Sequence, residues 1–298
     1  MIDLHMHSTY SDGTMRPEEL LQEAQRVGLS AIALTDHDTI DGVAEFMELG
    51  KKYGINTVPG VEISLDSKLP NNGYMHILGL FVDPHSGQLK ETLRFLLAQR
   101  NLRAQRIIKK LNELEIDITL QELLDEAGEG AIGRPHVAKI LVRKRVVTSI
   151  QEAFDMYLAK GKPAYINKEE LGEAAALKMI RDAGGLAILA HPHLMQFDTF
   201  EKAREKILEL KELGLDGFEV YYSGMPKEYT EKLLELAAES GFLVSGGSDF
   251  HGANKEHVKM GTGKNNDLNI PDTVLKQLEE GRKQKFRELK IEDRRLQD

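Results

Sequence analysis

Cysteine is absent from the 298 residues, so neither a disulfide framework nor a thiolate metal site can form. Any bound metal must be held by imidazole and carboxylate, which points to manganese, iron, zinc or magnesium rather than to iron–sulfur or copper–thiolate centres. Long hydrophobic runs are missing too. Stretches such as Leu186 to Ala190 are far too short to span a bilayer, so no membrane association is expected. A strand-like segment begins at residue 2, where a secretory leader would carry its basic region, and a cytoplasmic location is the expectation. Internal repeats and low-complexity runs are absent. Positive charge is in deficit: the formal net charge of −9 argues against a broad electrostatic footprint for duplex DNA.

What remains is the composition of an ordinary folded protein, 41% hydrophobic and 29% charged, long enough for one large α/β domain or a barrel carrying an inserted subdomain. Short apolar runs alternate with helical patterns, the signature of βα units. Strands are expected at Ile2–His7, Ala31–Thr35, Thr57–Ile63, Tyr74–Val82, Leu186–Ala190, Gly217–Tyr222 and Phe242–Ser248. Helices are expected between them at Pro17–Val27, Val43–Tyr53, Glu173–Asp182, Phe200–Leu213 and Lys227–Ser240, with Gly28, Gly54, Gly184, Gly214 and Gly241 where helices should stop. About seven such units predict a barrel one unit short of the common eightfold form.

The stretch 84–165 breaks the rhythm. A long basic helix is expected at Ser86–Leu114, and Thr119 with Glu122, and Ser149 with Glu152, have capping-box spacing. The expected organisation is a barrel from residues 1–83 and 166–298 with a helical insertion at 84–165, placed to act as a lid. Between Arg94 and Lys162 the charge is locally +4, suited to steering a short or mononucleotide anion. The same arginines and lysines (Arg100, Arg103, Arg106, Lys109, Lys110) equally fit the solvated face of an amphipathic helix. The charged tail from Arg282 to Asp298 reads as a peripheral or frayed helix.

The chemistry-bearing residues cluster at strand ends. His5 and His7 are two apart, so in a strand both imidazoles reach one face, and Asp12 follows in a Ser-Asp-Gly turn. Thr35-Asp36-His37-Asp38 follows a buried strand, at the carboxyl edge where α/β enzymes build their sites. Glu62 sits inside an apolar run and needs a strong partner. His76 lies near the start of its run, against the carboxyl-edge rule, so that strand is expected to be reversed or irregular. His191 ends one late strand; Asp249 and His251, again two apart, end another. Each alone reads as a strand cap or a hydrogen-bonded core histidine. Together, six of the ten histidines and three carboxylates in matching positions are hard to assign to packing. Nine nitrogen and oxygen donors are too many for one catalytic zinc and suit a multinuclear site, in which ions clamp both oxygens of an in-line displacement and lower the pKa of bound water.

H-x-H with S-D-G, then T-D-H-D, G-V-E-I-S, A-H-P and G-S-D-F-H, resembles the polymerase and histidinol phosphatase (PHP) family across essentially the whole chain. That resemblance implies a distorted (β/α)7 barrel holding two or three divalent ions, manganese first, with zinc, iron or magnesium as alternatives. It implies His5, His7, Glu62 and Asp249 on a first ion; Glu62 bridging to a second with His76 and His191; and Asp12, His37 and His251 on a third. His191, Asp249 and Asp12 would stand closest to the chemistry. Gly133-Arg134-Pro135-His136-Val137-Ala138, then Lys160-Gly161-Lys162-Pro163-Ala164-Tyr165 and Ala183-Gly184-Gly185, are similar to single-domain members that remove phosphate from nucleoside 3′,5′-bisphosphates, by attack of a metal-bridging hydroxide. Arg134 offers a bidentate fork for phosphate and His136 a further donor. His193 stands where an arginine follows the His-Pro pair in many relatives, and is the expected replacement contact. The partner is thus a small phosphorylated substrate, a nucleotide or short oligonucleotide. Alternatives are a 5′→3′ exonuclease on short RNA, a histidinol phosphatase and, from another class, a non-catalytic metal-stabilised module.

Overall fold

The computed structural model describes residues 1–65, 69–128, 132–166 and 171–295. Its elements in chain order are β1 (Ile2–Asp3), α1 (Pro17–Val27), β2 (Ala31–Leu34), α2 (Val43–Tyr53), β3 (Asn56–Ser64), β4 (His76–Leu80), α3 (Gly87–Glu113), α4 (Leu120–Ala127), α5 (Arg134–Arg143), α6 (Ile150–Ala153), α7 (Glu173–Asp182), β5 (Leu186–Leu189), α8 (Phe200–Glu212), β6 (Gly217–Tyr222), α9 (Lys227–Ser240), β7 (Leu243–Gly247) and α10 (Thr273–Arg295). The strands form one sheet in sequence order. It closes just beyond β1 and β7, where Leu4 N–H donates to Gly246 O (3.1 Å), Asp249 N–H donates to His5 O (2.9 Å), and Met6 bridges Phe250. The architecture is the expected distorted seven-stranded α/β barrel.

One irregularity is β4, antiparallel to both β3 and β5. Reversal brings its first residue, His76, to the edge where the parallel strands end, which resolves the conflict between that histidine and the carboxyl-edge rule. Alternate side chains of the strands enter different clusters, as the period of two requires. Ile32, Leu34, Ile77, Ala187 and Leu189 pack with Leu20, Phe46, Ile180 and Ile207 of the surrounding helices. Ala31, Ala33, Leu78, Leu80, Leu186 and Ile188 pack on the opposite face, closed by Leu268, Ile270, Val274 and Leu278.

The first expected strand is much shorter than its apolar run: only Ile2–Asp3 keeps ladder geometry, and His5 and His7 lie past it. Asp249 and His251 do not share a strand face either. β7 ends at Gly247, and Asp249 has φ +57°, so a left-handed residue rather than strand alternation turns both side chains inward. Thr119 and Glu122 form the expected capping box. Ser149 and Glu152 form half of one: Ser149 Oγ accepts from Glu152 N–H, but the Glu152 carboxylate accepts from Thr148 instead.

Residues 84–165, of which 129–131 lie outside the described residues, hold helices α3 to α6 and no strand among the described residues, joined by turns and loops. From Ala104 onward this region has a separate apolar cluster, with Ile108, Leu111, Leu123, Val137, Leu141 and Leu158. The first half of α3 packs against the barrel through Leu89, Leu93 and Leu96. The basic face of α3 divides. Arg100 pairs with buried Asp38, and Arg103 Nε donates to Ile166 O (2.8 Å), while Arg106 and Lys109 face solvent. α10 continues to Arg295, with 296–298 outside the described residues, and Arg282 Nε donates to Gly184 O (2.7 Å). No helix among the described residues is long and apolar enough to cross a membrane.

Candidate metal centre

All nine expected donors meet at one end of the barrel, around Glu62, whose side chain is 1% exposed. Four donor atoms converge first. His5 Nε2 and His7 Nε2 lie 3.4 and 3.2 Å from Glu62 Oε2, and 3.6 and 3.3 Å from Asp249 Oδ1. A tetrahedral ion with ligand bonds of about 2.0–2.1 Å has ligand–ligand edges of about 3.4 Å. These spacings are those of ligands around an ion. The other Glu62 oxygen, Oε1, lies 2.8 Å from His76 Nδ1 and 3.1 Å from His191 Nε2. Asp12 Oδ1 lies 3.2 Å from His251 Nε2 and 3.9 Å from His37 Nε2. His37 also turns Nδ1 to within 2.9 Å of Glu62 Oε2, so it stands between the two carboxylates.

Whether this set fits divalent cations can be judged from its unsatisfied atoms. His5 Nε2, His7 Nε2, Asp12 Oδ1, His37 Nδ1 and Glu62 Oε2 are all buried without a hydrogen-bond partner. Five orphaned polar atoms in one place would be costly in a packing core, where buried polar groups are satisfied. Divalent ions are the partner that answers both their burial and their chemistry, and the donor set fits.

The electrostatics agree. Burial opposes ionisation of Glu62, but His37, His76 and His5 hold its carboxyl well below the usual range. Asp12 and Asp249 are likewise held well below theirs against burial, Asp12 by His251 and His37, Asp249 by Lys255 and His251. Burial disfavours a charged His7, yet Asp249 and Glu62 push it up to about 9. His76 is pushed down to about 4, mainly by burial, and so stands neutral, the form that ligates metal.

Close backbone contacts fix the geometry. A Cβ on Gly13 would lie 2.2 Å from His7 O, and one on Gly247 would lie 2.2 Å from the Cβ of His5. Only glycine lets the Asp12 turn and β7 approach the first motif this closely. Asp38, His191 and Asp249 all hold positive φ (+53°, +31° and +57°), unusual for residues with side chains.

Several residues that the sequence reading passed over support the donors. Glu219, fully buried in β6, lies 3.1 Å from His5 Nδ1 and accepts from His191 N–H (2.7 Å). This is a carboxylate–histidine pair that sets which imidazole nitrogen faces the centre. Its signal was a lone carboxylate inside the apolar run Gly217–Tyr222, the same signal that marked Glu62. Tyr222 OH (2.7 Å) and Lys255 Nζ (2.6 Å) donate to Asp249 Oδ2, leaving Oδ1 toward His5 and His7. Asp36 is no donor to the centre: it accepts from Ser8 N–H, Ser8 Oγ and Ser11 Oγ at 2.8, 2.6 and 2.5 Å, tying the first loop to the second. Glu219→Gln would turn an amide N–H toward His5 Nδ1 or His191 N–H. The expected result is a 10–100-fold loss of Mn2+ affinity by titration calorimetry with melting temperature retained; unchanged affinity would contradict this role.

The expected substrate contacts divide. His136 is buried, which pushes its imidazole pKa down against the pull of Asp12, and its Nδ1 accepts from Gly133 N–H (3.1 Å). Arg134 lies 5.5 and 5.7 Å over the rings of Phe154 and Tyr165 and donates to Leu158 O (3.2 Å). His193 is on the other flank, beside Tyr222 and Tyr229.

A family model of the PHP domain matches residues 3–220. The chain belongs to the PHP family. Over 249 residues it is 36% identical to a 5′-3′ exoribonuclease of Haemophilus influenzae, covering 84% of this chain and 89% of that relative. It is 32% identical over 252 residues to a 3′,5′-nucleoside bisphosphate phosphatase of Chromobacterium violaceum, covering 84% and 87%. A solved structure described as a candidate metal-dependent phosphoesterase, from Bifidobacterium adolescentis, superposes with a TM-score of 0.79 at 29% identity over 93% of this chain and 94% of that one. The nine donors come from all across the PHP domain and from the segment just beyond it, where Asp249 and His251 complete the set.

Proposed function

We propose that this chain removes the 3′-phosphate of nucleoside 3′,5′-bisphosphates, taking adenosine 3′,5′-bisphosphate to AMP and phosphate. The coarser statement is that it is a metal-dependent phosphoesterase of the PHP family, an enzyme. The observation that carries the finer reading is one shared carboxylate, Glu62, facing five imidazoles beneath a helical insertion rich in arginine.

His5, His7, Glu62 and Asp249 would hold one ion, Glu62, His76 and His191 a second, and Asp12, His37 and His251 a third. Bound there, divalent ions lower the pKa of water and neutralise charge developing on phosphorus oxygens. The chain's own groups do the rest. Lys255, 36% exposed at its side chain and anchored on Asp249, adds positive charge at the mouth. His136, with Nδ1 accepting from Gly133, presents its proton on Nε2 as a donor to a phosphoryl oxygen. Arg134, placed over two rings, supplies a planar cation for the 5′-phosphate. Arg100, bound to Asp38 beside His37, fastens the insertion over the centre so that it excludes water from the bound nucleotide. His191, Asp249 and Asp12 surround the reacting phosphate, and a proton passes to the leaving 3′-oxygen as the P–O bond breaks.

Trimming of short RNA from its 5′ end is the second reading, favoured by the basic residues of the insertion. Initial rates of Mn2+-loaded protein on adenosine 3′,5′-bisphosphate, short oligoribonucleotides and histidinol phosphate separate the readings. Release of phosphate from the bisphosphate is expected. Turnover of histidinol phosphate with none of the bisphosphate or oligonucleotides would overturn the proposal.

A further inference from the structure

Tyr74, just ahead of β4, is an aromatic ring at the centre that the chemistry at phosphorus does not use. Its centroid lies 5.1 Å from the ring of His76 and 5.5 Å, edge to face, from that of His191, the two imidazoles that face Glu62 Oε1. A second tyrosine, Tyr222, also lies 5.5 Å from His191, but it is half-buried and its hydroxyl is committed to Asp249. Tyr74 is 45% exposed, and its hydroxyl makes no hydrogen bond among the described residues.

The backbone beneath this ring is held from both sides. Tyr74 N–H donates to Leu194 O (3.1 Å), and Leu65 N–H donates to Met75 O (3.0 Å). Asn71 Nδ2 donates to Gln196 O (3.0 Å) and to Asp198 Oδ1 (2.7 Å). A Cβ on Gly73 would lie 2.0 Å from Met195 O, so only glycine lets this segment approach the turn after His191 so closely. An exposed ring on a fixed backbone has only two side-chain torsions left to order when something binds it. Contact with His76 and His191 accounts for part of its surface. The rest is open and flat.

The shape of the substrate says what would cover it. On a nucleoside 3′,5′-bisphosphate the two phosphates and the base leave the ribose from three different carbons. With the 3′-phosphorus at the ions and the 5′-phosphate toward Arg134 on the insertion, the base is the one flat, weakly polar part left to place. Its attachment carbon is only a few bonds from the phosphorus, and Tyr74 stands beside two of the donors that surround it. Bases stack on aromatic faces with little demand for hydrogen bonding.

We infer that Tyr74 is the platform on which the nucleobase stacks, so that the chain discriminates among nucleoside 3′,5′-bisphosphates by the stacking strength of the base, purines before pyrimidines. This rests on the proposed reading of the centre as acting on nucleotide 3′-phosphates. Tyr74 takes no part in breaking the bond.

The test compares kcat/KM of the full chain, loaded with Mn2+, on adenosine 3′,5′-bisphosphate, its uridine counterpart and the base-free analogue 1-deoxyribose 3,5-bisphosphate. The wild type is expected to favour the adenosine compound over the base-free one by about tenfold or more, with uridine between them. Tyr74→Ala is expected to lower the adenosine to base-free ratio about tenfold, and Tyr74→Phe to keep it within about twofold. The loss should fall on KM, because the base is stacked equally before and during bond breaking. The base-free rate reports whether each preparation is folded and metal-loaded. A wild type indifferent to the base, an unchanged ratio in Tyr74→Ala, equal loss on all three substrates or a loss on kcat alone would overturn the platform. Equal loss is also what a mere shield over His76 and His191 would give. A wild type that hydrolyses none of the three would instead overturn the reading of the centre beneath it.

Discussion

Replacing Glu62 with Gln is expected to lower kcat/KM for adenosine 3′,5′-bisphosphate by about 10³-fold, about 4 kcal/mol of transition-state stabilisation. The change keeps shape and volume but removes the charge and turns one oxygen into an N–H donor. In the wild type both oxygens are engaged: Oε2 faces His5, His7 and His37, and Oε1 faces His76 and His191. An amide nitrogen cannot ligate a cation, and wherever it points it removes one of these two meeting points. The variant should keep its circular dichroism spectrum and its metal-free melting temperature, because the barrel core is built from other residues. It should lose the rise in melting temperature that Mn2+ gives the wild type. A variant within tenfold of wild-type activity would show that Glu62 is not the shared ligand.

Removing divalent ions has the second large effect. Dialysis against a chelator is expected to lower turnover to below about 1% of the loaded enzyme, with recovery on adding back Mn2+, Zn2+, Fe2+ or Mg2+ ranking the metals. A ligand present at 100 times its dissociation constant stabilises the folded state by about 2.7 kcal/mol. For a chain of this size that is a fall in melting temperature of about 5 °C on chelation. Metal binding should also release protons. Burial disfavours charge on His5 and His7, but the facing carboxylates raise both, His7 to about 9, so at pH 7.5 His7 holds a proton that an ion must displace. Affinity should therefore increase as pH rises from 6.5 toward 9 and then level off. Calorimetry in buffers of different ionisation enthalpy checks the sign; a binding enthalpy independent of buffer would contradict it.

Much of this was legible in the order of residues because strand ends and site coincide. β6, α1, α2, α7 and α9 fall where periodicity and glycine stops place them, and six histidines at apolar segments announced the centre. His76 was legible even as an anomaly: a ligand at the wrong end of its run meant a reversed strand, and β4 is antiparallel. The failures have physical causes. His5 and His7 lie past a two-residue strand, and Asp249 turns through a left-handed backbone, so their convergence owes less to strand alternation than to close contacts at Gly13 and Gly247. Glu219 was missed because its partners are distant in sequence, and Lys255 because it lies in the loop beyond the last strand with no motif around it. Glu219 meets His5 across 214 positions, a pairing that only the closed barrel creates.

Crystals soaked in Mn2+ and measured at its absorption edge test the central claim most directly. Anomalous peaks are expected about 2.0–2.3 Å from Glu62, with His191 ligating one and Asp249 another. No peak near Glu62, with Mn2+ bound elsewhere or not at all, would contradict it.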